Sequence, residues 1–101
     1  MRLQDMIPAK AGPNDPLHTA NIMTYEHGSM VRALVRRRVK LAQGDKQGAK
    51  AYEAEAKIEH ADLVMQCKVI ADQMDWKMAE QEKIGLERFQ ERMEEIKSGT
   101  L

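Results

Sequence analysis

The sequence is poor in the residues that fasten small proteins from outside a core. A single cysteine, Cys67, can form no internal disulfide, and its setting in an apolar run marks it as a structural thiol more than a reactive one. His18, His27 and His60 have no zinc-ligand spacing with it. Aromatic residues make up only 4% of the chain, so a core must come from Leu, Ile, Val, Ala and Met, and eight methionines suit an adaptable helical interior. The three prolines, Pro8, Pro13 and Pro16, are confined to the beginning, where with Gly12 they forbid a long helix. Charge of one sign is missing too. Sixteen basic and sixteen acidic residues cancel, which argues against a global field for nucleic acid or an anionic membrane. No stretch approaches the roughly 20 apolar residues of a membrane span. The first fifteen residues carry Asp5, Pro8, Lys10 and Pro13 with no apolar leader core, so a cytoplasmic location is expected.

What is present is helical. At 101 residues the chain is sized for one domain. Residues 1–18 read as a proline-rich arm, either disordered or docked through Leu3, Met6, Ile7 and Leu17, and residues 19–101 as a helical domain. The first helix is expected from Thr19, as N-cap, to Ala42, with Ile22, Met23, Met30, Ala33, Leu34 and Leu41 at helical spacing. Gly28 would let another backbone approach. Its C-terminal end is basic, with Arg32, Arg36, Arg37, Arg38 and Lys40. This complements the helix dipole, or alternatively meets a phosphate or a nucleic acid. Without aromatic residues among these arginines, nucleic acid is the weaker reading. Gln43 to Gly48 breaks the pattern, and Asp45 is suited to cap a second helix from Lys46 to Met74. Asp75 is the one capping candidate before a third, from Lys77 to Lys97, ended by Ser98-Gly99. The expected class is all-α, an antiparallel bundle of about three helices completed by oligomerisation. The last clause follows because the second helix is apolar on two flanks and two neighbours cannot cover it.

Within that second helix Glu55, Glu59, Asp62 and Gln66 recur at steps of four, three and four, so they line one face. Their flanks are apolar: Ile58, Met65 and Val69 on one side, Leu63, Cys67, Ile70 and Met74 on the other. Carboxylates in such company are costly to desolvate unless something positive meets them. A narrow solvated stripe is the plainer reading, and a divalent cation the sharper one. There is no glycine loop for a nucleotide and no Glu-x-x-His pair for a di-iron site. Hard oxygen ligands, with Glu26 offering a third from the first helix, suit Mg²⁺.

Glu59-His60-Ala61-Asp62, followed by Leu63-Val64-Met65-Gln66 and Ile70-Ala71-Asp72-Gln73-Met74, resembles a signature of the MazG-like all-α nucleoside triphosphate pyrophosphohydrolases. Tyr25-Glu26-His27-Gly28-Ser29-Met30 is similar to that family's first acidic motif, and Lys83 with Arg88-Phe89-Gln90-Glu91-Arg92 to its closing basic segment. The resemblance spans residues 24–93 and implies a homodimer or homotetramer that cuts a nucleotide between its α and β phosphates. It implies that Glu26, Glu59 and Asp62 hold Mg²⁺, and that Lys83, Arg88 and Arg92 meet the leaving pyrophosphate. Ser29 stands where the family has a second glutamate, Leu86 where it has an asparagine, and the arm where it often has a helix. Glu55, one turn before Glu59, is placed to compensate for the missing carboxylate. The alternative is a non-catalytic interaction or oligomerisation protein on the same scaffold.

Overall fold

The structure is a computed structural model and describes residues 2–100. Among them there are three long helices and no strand: α1 from Pro16 to Ala42, α2 from Lys46 to Gln73 and α3 from Met78 to Ser98. Two short 3-10 turns, Leu3–Met6 and Ala9–Ala11, precede them.

Helix α1 begins three residues before the expected Thr19. Pro16 lies in the first turn, where its missing N–H costs nothing, and the Asp15 side chain accepts from the Leu17 N–H at 3.0 Å as the cap. Gly44, at φ +75°, stops α1 in a conformation that favours glycine, and the Asp45 side chain caps α2 by accepting from the Gly48 N–H at 2.9 Å. So short a turn folds α2 back along α1. The two form an antiparallel pair, crossed near the turn by an Arg37–Glu53 ion pair of 2.7 Å and at the far end by Thr19 donating to Gln73 at 2.8 Å. Small buried side chains, Ala33, Ala49 and Ala56, let the backbones approach closely.

The arm is ordered against the end of α2. The Arg2 guanidinium meets the Asp72 carboxylate at 3.1 Å and Asp75 at 2.8 Å, and it also donates to the Asp72 backbone carbonyl. The Gln4 N–H donates to the second Asp72 oxygen at 3.0 Å. Farther along, Gln73 donates to Asn14 at 2.7 Å and Asn14 to the Gln4 carbonyl at 3.1 Å, which ties the arm at both ends. The Gln4 N–H first, and then Arg2, hold the Asp72 carboxyl below its usual range.

Asp75 does not cap α3. It adopts φ +58° and helps end α2, while Lys77 takes the N-cap position of α3 without a side-chain bond. Helix α3 leaves the pair and packs extensively on neither α1 nor α2, and none of its residues is buried. The three-helix antiparallel bundle is therefore an antiparallel pair plus a separate helix. With a radius of gyration of 17.4 Å the chain is far more extended than the roughly 13 Å of a compact domain this long. The two-flanked apolar character of α2 also goes unanswered within one chain. Ile58 remains 62% exposed, and the buried apolar residues are small ones and Val69.

Candidate functional site

Antiparallel pairing from a three-residue turn brings together residues equidistant from it. Glu26 and Asp62 are equally far from Gly44 in sequence, so they meet across the helix pair. On α1 the positions Ile22, Glu26, Ser29, Ala33 and Arg36 follow steps of four, three, four and three along one side. On α2 the facing stripe is Glu55, Glu59, Asp62 and Gln66.

Glu26 carries the main electrostatic signal. One carboxylate oxygen, Oε2, is buried with no hydrogen-bond partner. Burial first, then the neighbouring charges of Asp62 and Glu59, push the Glu26 carboxyl above its usual range. Nothing positive offsets this: among the described residues Glu26 is in no ion pair. Three carboxylates from two helices are thus near enough to repel one another, and one of them carries an unmet acceptor. Glu59 is half-buried and Asp62 exposed, so the cluster opens to one side.

Toward the turn the seam widens into an open groove of about 310 Å³ lined by Ser29, Arg32, Arg36, Glu55, Ile58 and Glu59. Ser29 therefore shares a groove with Glu59 and with Glu55, the carboxylate placed to stand in for the missing one. Arg36 lies over the Tyr52 ring at 5.9 Å, which holds its cation beside the groove. Toward the arm the seam runs into an apolar pocket of about 390 Å³.

The expected phosphate-binding residues are elsewhere. Lys83, Arg88 and Arg92 lie exposed on α3, away from the carboxylates, and line neither the groove nor the pocket. The positive charge beside the acidic cluster is Arg32 and Arg36. Their signal was in the sequence, since Ser29, Arg32 and Arg36 continue the Glu26 stripe by steps of three and four. Gly28 also differs from expectation: a Cβ built there would meet nothing within 4 Å, so among the described residues no other backbone approaches it.

Among the described residues no three His, Cys, Asp or Glu side chains converge tightly enough to form a ready metal cage. Mg²⁺ rarely uses one. It is commonly held by one or two carboxylates with waters and substrate phosphates completing the octahedron. An unmet buried carboxylate oxygen beside two further carboxylates fits that mode. No protein family, curated protein or solved structure matches the chain.

Proposed function

We propose that this chain is a Mg²⁺-dependent nucleotide pyrophosphohydrolase, releasing nucleoside monophosphate and pyrophosphate from a triphosphate. The observation that carries the reading is the buried, unpartnered Oε2 of Glu26 facing Asp62 and Glu59. Such a carboxylate is held at an electrostatic cost that a bound cation removes. Glu26, Glu59 and Asp62 are the residues to hold the ion, with Glu55 beside them. When bound, Mg²⁺ supplies charge neutralisation at the phosphates and a lowered pKa for an attacking water. The chain's own side chains do the rest. Arg32 and Arg36 neutralise phosphate oxygens in the groove, and Ser29 orients a water or a phosphate oxygen by hydrogen bonding.

The reading includes assembly with further copies, as a homodimer or homotetramer. The outer side of α1 presents Val31, Leu34, Val35 and Leu41 beside Arg37 and Arg38. Helix α3 presents Leu86, Phe89, Met93 and Ile96, at steps of three, four and three, backed by Glu87, Glu91, Glu94 and Glu95. Both apolar stripes are exposed, and α3 of one copy against α1 of another would cover both.

Mg²⁺ should raise the melting temperature of the wild type, because a ligand specific to the folded state stabilises it. The double variant Glu59→Gln/Asp62→Asn should show no such rise. A wild type indifferent to Mg²⁺ would remove the metal and the reaction together. The second reading, a non-catalytic oligomerisation protein, would then stand, favoured by the exposed apolar stripe of α3 and by Ser29 in place of a carboxylate.

A further inference from the structure

The apolar pocket at the arm end of the seam is built from two sources. Its floor is the helix pair, through Ile22, Met65, Gln66 and Val69, and its roof is the arm, through Leu3, Ile7 and Pro13 among others. The roof is fixed to the floor from both sides. Arg2 and Gln4 hold Asp72, and Asn14 joins the Gln4 carbonyl to the Gln73 amide. A volume of about 390 Å³ falls within the range of small-molecule sites, which are mostly apolar with a few polar groups for orientation. Three polar side chains line it: His18, Thr19 and Gln66. Thr19 is committed to Gln73, whereas among the described residues His18 and Gln66 make no side-chain hydrogen bond.

Its position matters as much as its lining. Ile22 lies one helical turn before Glu26, and Gln66 one turn after Asp62, so the pocket begins about 6 Å along the helix axis from the acidic cluster. Beyond the cluster come Ser29, Arg32 and Arg36. Pocket, carboxylates and arginines thus follow in line along one side of the pair. From Ile22 to Arg32 the axial rise is about 15 Å, the scale of a nucleotide laid lengthwise.

We propose that this pocket receives the planar base of the nucleotide, with the arm as its roof and Gln66 and His18 addressing the edge of the base. The proposal rests on the nucleotide reading above and deepens it, assigning recognition to an element outside the carboxylate stripe. An apolar slot between Ile22, Met65 and the arm takes up the faces of a heterocycle. The Gln66 amide, which both donates and accepts, reads its rim. Phosphates then extend over Asp62 and Glu59 toward Arg32 and Arg36.

The test is a titration in Mg²⁺ of the whole chain with each of the four deoxynucleoside triphosphates and with inorganic tripolyphosphate. At least one nucleotide should bind about tenfold more tightly than tripolyphosphate, or better. Gln66→Leu, which keeps the volume, should reduce that advantage or change which base is preferred. Arg2→Ala, an exposed substitution that frees one end of the roof, should weaken nucleotide binding and leave tripolyphosphate unchanged. Equal affinity for nucleotide and tripolyphosphate, or indifference to both substitutions in variants of unchanged helical signal, would overturn the base pocket and leave the acidic cluster as a phosphate and metal site. Failure of the wild type to bind either ligand would overturn the cluster reading and the pocket with it.

Discussion

Replacing Glu26 with glutamine is expected to stabilise the metal-free protein at neutral pH. The side chain keeps its length, loses its charge and gains an N–H group able to donate to Asp62 or Glu59. A buried acceptor without a partner costs about 1–3 kcal/mol. Glu26 is only half-buried and solvent screens its neighbours, so the low end applies, and the gain should be about 1 kcal/mol. For a domain of this size that is about 4–8 °C in melting temperature. The pH dependence fixes the cause. Because the folded-state pKa of Glu26 is raised above 4.5, the native state holds a proton that the unfolded chain has lost in the window above that value. Stability from this group is therefore present at acid pH and falls as pH rises through the window. The advantage of Glu26→Gln should be full at neutral pH and vanish below the ordinary glutamate range, where both side chains are neutral. Thermal melts of both proteins from acid to neutral pH, followed by circular dichroism, provide the check. A loss of stability at neutral pH, or a gain that does not change with pH, would refute the reasoning, since either requires that Glu26 be already satisfied.

Asp72 should respond with the opposite sign. Its folded-state pKa is lowered, so the attachment of the arm should be intact above the usual aspartate value of 3.8 and fail as pH falls through the folded value. Loss of the Gln4 amide signature by NMR on that acid limb would show it, and an arm still docked after Asp72 protonates would contradict it. Gly28→Ala should stabilise α1 by about 0.5–1 kcal/mol, because the site is helical and a Cβ there meets nothing. A destabilised variant would mean that a second copy packs on Gly28. Changing Leu86 and Phe89 to glutamate should reduce association measured by sedimentation at micromolar concentration. A wild type already monomeric and folded there would dispose of the interface between α3 and α1.

Much of the α1–α2 pair was legible in the sequence because its punctuation is chemical. Gly44, Asp45 and Gly48 mark a turn and a cap, and the structure has both. The carboxylate cluster was legible for the same reason: a short turn makes Glu26 and Asp62 partners as soon as both helices are drawn. Local pattern marks Pro16 as a breaker, yet it serves as a helix starter, since proline obstructs a helix only after the first turn. Residue type marks Asp75 as a cap, yet its left-handed backbone makes it a terminator. Docking of the arm is one of the two readings its apolar residues allow, but the anchor that holds it lies beyond local patterns. That anchor depends on Arg2 meeting Asp72 and Asp75, 70 and 73 residues away in sequence, and nothing near Arg2 announces those partners. The place of α3 was hidden for a different reason. Its amphipathic stripe states that it must pack, but periodicity does not state against which molecule.

The central claim is a cleavage between the α and β phosphates at the Glu26, Glu59 and Asp62 cluster. Phosphorus NMR of the protein with Mg²⁺ and nucleoside triphosphates, canvassing ordinary and modified bases, tests it most directly because it identifies the products. The account predicts monophosphate and pyrophosphate in equal amounts, dependent on Mg²⁺ and lost in Asp62→Asn. Absence of turnover with every nucleotide, or release of diphosphate and inorganic phosphate instead, would contradict it.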